Sequence, residues 1–427
     1  MSANGHTAAG GLPSIAPMLP AHSATLALHE RLTALRQAGA PVLHLGFGEA
    51  GLPVPPGVAD VLARAAARPG SNGYAPVAGT AAARRAAAAW FTRRGLPTDD
   101  DRVVLAPGSK PLLFALLAAL PGDVVLPRPS WVSYAAQAAL AGKRVTSVPV
   151  PAACGGVPDP ALLPDALHAA RAAGAEPGVL VVTIPDNPTG TIARPGLVRE
   201  VCALAGRHGL AVIADEIYAD LVHDPHAPPP PSAAHHLPDR TVVTTGLSKS
   251  VALGGWRVGL ARLPQGPWGA RLATALAGVA SEIWSCLAAP LQDVAAYVLG
   301  EPPEVRAHVA AARRLHGAVA RAVHQEFTAA GADCRAPQAG FYLYPGLPGP
   351  AGGAALARRL LERHHIGVLP GEAFGDDPAA PRVRVATSLL YGDTEEQRWQ
   401  ALRAPDPLAL PWVAEPLARL RGALAAD

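Results

Sequence analysis

Gly246-Leu247-Ser248-Lys249-Ser250-Val251-Ala252-Leu253-Gly254-Gly255-Trp256-Arg257-Val258-Gly259 is the stretch on which the reading of this 427-residue chain turns. A β-rich run, residues 241–245, leads into a turn of small residues that carries Lys249. An isolated loop lysine is ordinarily a solvated surface residue. Here glycines crowd the chain and an apolar run precedes it, which argues against free solvation. Such a lysine can form a Schiff base with an aldehyde cofactor. Arg257, eight positions on and flanked by glycines, can grip a phosphate with its planar fork.

Two further motifs lie upstream at the ends of apolar runs. Asp215-Glu216-Ile217-Tyr218 follows residues 211–214 and stands 34 residues before Lys249. Asn187-Pro188-Thr189-Gly190 follows residues 179–184 and stands 28 residues before Asp215. Taken singly, an Asn-Pro turn or a strand-end aspartate is a bland loop feature. The runs 124–126, 144–148, 179–184, 211–214 and 241–245 alternate with helical stretches such as 195–208. That alternation predicts an α/β fold whose mainly parallel sheet is covered on both faces. Residues 25–38, 81–94, 112–120 and 303–330 read as helices, and 340–344 and 382–387 as strands of a second, smaller domain.

In this order and spacing, the three motifs resemble the class I/II aminotransferases, the fold type I pyridoxal-phosphate enzymes. Asn72-Gly73-Tyr74-Ala75-Pro76-Val77-Ala78-Gly79, Pro107-Gly108-Ser109-Lys110, Pro129-Ser130-Trp131-Val132-Ser133-Tyr134, Gly340-Phe341-Tyr342 and residues 382–388 extend the similarity from about Leu43 to Ser388. The resemblance implies a seven-stranded, mostly parallel sheet in a large domain (61–300). It also implies a smaller α+β domain built from both chain ends (25–60 and 301–427), behind a poorly ordered lead-in (1–24). It implies a pyridoxal-phosphate cofactor on Lys249, which would also be the base for the Cα proton. Asp215 would pair with the ring nitrogen, and Asn187 and Tyr218 would bond the ring's phenolic oxygen. Trp131 would stack on the ring. Gly108, Ser109, Lys110, Ser248 and Arg257 would surround the phosphate, and Tyr74 would reach it from the partner subunit of a homodimer with shared sites. Gly48, Asn187 and Arg382 would bind the substrate. Arg382 is preferred over Arg384, two residues on along the same strand face, from the register that Ala386 sets. Asp186 stands where the family most often has asparagine, and Glu49-Ala50-Gly51 replaces the common Gly-Glu-Pro-Asp wording.

The expected reaction is transfer of an amino group from an amino acid to a 2-oxo acid. Elimination, replacement, cyclisation or oxidation on the same cofactor is the alternative. An aminotransferase-like transcription regulator is disfavoured, because the roughly 40 residues before Leu43 hold no helix-turn-helix pattern or basic cluster. Aspartate-type members often carry a second arginine about 30–35 residues after the lysine, to fork a side-chain carboxylate. Here Ser281-Glu282-Ile283-Trp284-Ser285 has no cation, which predicts a preferred substrate other than a simple dicarboxylate.

Composition bounds the rest. A net charge of +3 without like-charge blocks gives no support for a nucleic-acid or membrane partner. No apolar stretch approaches the roughly 18–20 residues of a membrane span, and no secretory signal is seen. Four scattered cysteines suit a reducing compartment, so a cytoplasmic protein is expected. Gly46-Phe47-Gly48-Glu49-Ala50-Gly51 fits a dinucleotide fingerprint, but Pro53, Pro55 and Pro56 leave no helix to receive a phosphate, so it reads as a tight turn. The adjacent His364 and His365 have no acidic or cysteine residues at metal-ligand spacing and are not read as a metal site.

Overall fold

Twelve strands are defined among the described residues, 22–349 and 352–426, of a computed structural model: β1 (Leu43–His44), β2 (Val103–Ala106), β3 (Asp123–Arg128), β4 (Val145–Pro149), β5 (Pro177–Thr183), β6 (Ala211–Asp215), β7 (Thr241–Gly246), β8 (Gly259–Arg262), β9 (Tyr342–Leu343), β10 (Ile366–Gly367), β11 (Leu369–Pro370) and β12 (Val383–Ala386). Seven of them form one sheet in the order β2-β8-β7-β6-β5-β3-β4. Only β8 runs against its neighbours. The lead-in expected at 1–24 falls, up to residue 21, outside the described residues.

The strands are apolar on both faces, as a doubly covered sheet demands. Val103, Leu105, Val125, Leu180 and Val182 point into one core. Val104, Ala106, Val124, Leu126, Val179 and Val181 point into the other. α1 (Ala24–Gln37) packs against β11, and helices pack on both sides of the large sheet, among them α2 (Val58–Ala67), α3 (Ala81–Arg93), α4 (Ser109–Ala119) and α5 (Val132–Leu140). β2 and β8 were not read from sequence. They pair antiparallel at the sheet edge, with Ala106 opposite Gly259, and so bring the turn after β2 beside the stretch that carries Lys249.

A separate core joins the two ends of the described chain. Leu43 and Leu45 pack with Leu315, Val319, Phe327, Leu343 and Val385. β1 pairs parallel with β10, Leu43 opposite Ile366. This core draws its residues from 43–52 and 312–424, whereas Val58 and Val305 side with the sheet. The chain order along the sheet reverses around β3 and β5, and open α/β sheets bind ligands at the carboxyl ends of strands at such a point.

Candidate active site

A cavity of about 520 Å³ opens at those carboxyl ends. Asp215 ends β6, Thr183 ends β5 directly opposite it, and Lys249 sits in the helical turn Leu247–Ser250 that follows β7. Asn187, Trp131 and Ser109 arrive from the turns after β5, β3 and β2, and all line the cavity. Residues scattered over more than a hundred positions converge because parallel strands deliver their ends to one edge.

At one end of the cavity is a buried acid. Asp215 is 3% exposed. Its Oδ2 accepts a hydrogen bond from Tyr134 Oη at 2.7 Å, and Tyr134 Oη lies 2.9 Å from Thr183 Oγ1. The backbone N–H of Ile217 donates to its other oxygen at 3.4 Å. Burial lifts the Asp215 pKa from 3.8 to about 6, against the pull of Tyr134, Ile217 and Lys249. Tyr134 is a site residue the sequence reading quoted without a role. It stands three positions after Trp131 on α5, so both face the same way, with rings edge to face at 5.2 Å.

The opposite end is made of backbone and cations. Gly108, with φ +100°, precedes Ser109 at the start of α4, where free N–H groups favour an anion. No side chain fits here. A Cβ on Gly108 would lie 2.2 Å from Arg257 Nη2, and one on Gly259 would lie 2.3 Å from the Gly108 carbonyl carbon. Arg257 adopts a left-handed φ of 56° and donates from Nη1 to Gly254 O at 2.8 Å. Burial lowers its pKa and also that of Lys110, which Arg257 and Lys249 depress further. Lys110 Nζ stands 5.4 Å from the Trp131 ring centroid. Ser248 lines the same space.

Between the two ends, Lys249 Nζ donates to Gly48 O and lies 5.9 Å from the ring centroids of Tyr218 and Phe341. The Tyr218 hydroxyl is 3.0 Å from that of Tyr342, another residue to which the motifs assigned no role.

The arginine expected to bind substrate is corrected by its placement. Arg382 lies one residue ahead of β12, a third exposed, paired with Asp333 and outside the cavity. Arg384 is 1% exposed and lines the cavity. It donates from Nη2 to Gly46 O at 2.7 Å and from Nη1 to Asn187 Oδ1 at 3.3 Å, while its Nε is buried without a partner. A buried guanidinium with an unused N–H is a ready anion clamp. The structure thus places Arg384, and not Arg382, at the cavity. Because Asn187 Oδ1 accepts from Arg384, the Asn187 amide nitrogen is left as the free donor.

Tyr74 is 93% exposed and takes no part in the cavity within one chain. Glu282 is exposed, bonded by Ser281 Oγ at 3.1 Å, and does not line the cavity either. Leu26, Thr25 and Phe47 do line it, although sequence reading left them unassigned. Among the described residues no cluster of three metal-binding side chains occurs, and no helix is long and apolar enough to cross a membrane.

Comparison with known proteins agrees with this geometry. The family model for aminotransferase class I and II matches residues 40–390. An aspartate aminotransferase of Streptomyces avermitilis is 30% identical over 83% of this chain and 87% of its own. An aspartate/prephenate aminotransferase of Thermus thermophilus is 31% identical over 89% of this chain and 94% of its own. A solved structure of a Thermus thermophilus aspartate aminotransferase mutant superposes with a TM-score of 0.81 at 27% identity, covering 96% of this chain and all of that one.

Proposed function

This chain belongs to the class I and II aminotransferases, enzymes of pyridoxal-phosphate-dependent amino-group transfer between an amino acid and a 2-oxo acid, and on that premise we propose how its own residues divide the work. The cavity fits the cofactor on three counts. Beside Ser109 and Arg257, where a phosphate would sit, backbone comes close: Gly108 holds a φ of +100° and a Cβ on Gly259 would strike the Gly108 carbonyl carbon. A buried acid faces the other end. An amine, Lys249, stands between them.

When bound, pyridoxal phosphate supplies an electron sink for the substrate's Cα. Ser109, Ser248, the Gly108 backbone and Arg257 hold the phosphate. Asp215 holds a proton on the ring nitrogen, and the positive charge so retained stabilises its buried carboxylate in turn. The Asn187 amide and the Tyr218 hydroxyl donate to the ring oxygen, and Trp131 covers a ring face. Arg384 forks the substrate α-carboxylate. Lys249 Nζ would be the base that moves a proton between the substrate Cα and the cofactor carbon.

The observation that carries the substrate reading is Lys110, half-buried in the cavity, whose ammonium makes no hydrogen bond or ion pair among the described residues. It supplies the positive charge that residues 281–285 lack. An acidic amino acid is therefore the favoured substrate, reversing the expectation drawn from that segment and in keeping with relatives named aspartate aminotransferases. Turnover with a panel of amino acids tests it. Aspartate or glutamate should lead the panel, and Lys110→Ala should cut kcat/KM for them about tenfold or more, the scale of a charge-assisted hydrogen bond. Neutral substrates should change little. A panel led by neutral or basic amino acids would refute the reading.

The working unit we infer is a homodimer in which the exposed Tyr74 reaches the neighbour's phosphate site. Mixing Tyr74→Ala with Lys249→Ala places both defects in one site of the heterodimer and leaves the other intact. Activity should return after subunit exchange. No recovery despite demonstrated exchange, or an active monomer, would contradict the shared site.

A further inference from the structure

Tyr342, on β9 and 2% exposed, approaches the site from the small core. Its ring meets that of Tyr218 at 79° with centroids 5.5 Å apart, and the two hydroxyl oxygens are 3.0 Å apart. The other acceptor within reach of Tyr342 Oη is Gly48 O, at 3.5 Å, which already receives Lys249 Nζ. A phenol has one proton to give and two lone pairs. If Tyr218 gives its proton into the cavity, the pair is satisfied only when Tyr342 donates to Tyr218, and the longer, shared contact at Gly48 O does not compete well with that.

Space for this arrangement is reserved. A Cβ at residue 48 would lie 2.1 Å from Tyr342 Oη, so glycine there is a condition of the contact. The Tyr342 ring also lies 4.7 Å from the guanidinium carbon of Arg384, a cation–π contact that helps to fix it. Burial holds the Tyr218 phenol well above its ordinary pKa, so it stays a donor.

We propose that Tyr342 is a positioning residue: it donates to Tyr218 and thereby aims the Tyr218 proton at the cofactor's ring oxygen. This rests on the reading above in which Tyr218 donates to that oxygen. Two donors in series polarise one another, so the second strengthens the first. Negative charge drawn from the ring oxygen toward Tyr218 is charge that no longer holds a proton on the nitrogen linking Lys249 to the cofactor. The chain of two phenols therefore lowers the pH at which that linkage titrates.

The test is a pH titration of the visible absorbance of substrate-free holoenzyme, for wild type, Tyr218→Phe, Tyr342→Phe and the double variant. Tyr218→Phe should raise the midpoint by about one unit, the worth of a full hydrogen bond. Tyr342→Phe should raise it by about half a unit, a part of that worth passed through a shared oxygen. The double variant should match Tyr218→Phe alone, because Tyr342 acts through Tyr218. A merely structural role would lower the melting temperature and leave the midpoint in place. No shift in Tyr218→Phe would overturn the ring-oxygen reading and the chain with it. A shift there with none in Tyr342→Phe, or additive shifts in the double variant, would overturn the chain alone. Tyr342→Met removes the same hydroxyl in another shape and decides the matter if Tyr342→Phe does not fold.

Discussion

The two ends of the active cavity are built on opposite plans. At the Asp215 end, side chains from the middle of the sheet meet in a dry setting, and burial lifts the Asp215 carboxyl to about 6; Asp186 and Glu216, buried outside the cavity, are lifted to about 7. At the Gly108 end, backbone does the shaping, and the charges are cations whose pKa values burial lowers, Arg257 and Lys110. Asp215 needs a positive partner and the cations negative ones. A pyridinium at one end, and at the other a phosphate beside Arg257 with a substrate carboxylate at Lys110, would relieve both. The difference teaches that a charged, polar ligand can be selected by two regions that are each electrostatically unsatisfied when apart from it.

Asp215→Ala is the severest way to break this contrast. Removing a preorganised charge at the reacting centre should cost about 3 kcal/mol or more, a loss of at least a hundredfold in kcat. Cofactor should still bind through the phosphate end, which equilibrium dialysis would register. Turnover close to wild type would end the assignment.

Gly259→Ala attacks the other end. The added Cβ would strike backbone at 2.3 Å, which cannot swing aside as a side chain can. Cofactor affinity should fall with a penalty on the order of 1–3 kcal/mol, typical of overpacking. The chemical step of the saturated enzyme should suffer less than in Asp215→Ala. Unchanged affinity would show that the cradle is looser than described.

Asp186→Asn gives the mildest and most informative comparison. Asp186 Oδ2 accepts from Thr189 N at 3.1 Å and Thr189 Oγ1 at 2.5 Å, while Oδ1 is buried without a partner. Its folded pKa is raised from 3.8 to about 7 by burial. Between those values the folded chain keeps a proton that the unfolded chain releases, so stability is full below pH 4 and is lost as pH rises through 7. The amide cannot ionise, so the variant should melt above wild type at pH 8, by on the order of 2 kcal/mol, and match it near pH 4. A pH-independent difference would discard this account of the dry end.

The cation end was the more legible of the two in the sequence. Gly108, Ser109 and Arg257 belong to short motifs whose glycines mark where backbone must come close. The parallel sheet was readable too, since its strands are apolar on both faces. What escaped is non-local. Tyr134 meets Asp215 across 81 positions, and nothing in its own segment announces that partner. β2 and β8 are four-residue runs whose pairing matters more than their composition. The choice between Arg382 and Arg384 depended on where β12 begins. The two alternate correctly along one face, but Arg382 lies ahead of the strand and is claimed by Asp333, a residue from another segment.

The pairing of β1 with β10 bears on how the enzyme is made. Leu43 finds its partner only at Ile366, and the Gly46–Gly48 loop just beyond β1 is held by Lys249 and Arg384. A nascent chain emerging at about 5–20 residues per second would expose the early segment for a considerable time before residue 366 arrives to anchor it. The sheet can condense while translation continues, but the substrate side of the cavity cannot. Completion of the Gly46–Gly48 side of the cavity thus waits for β10 and for Arg384.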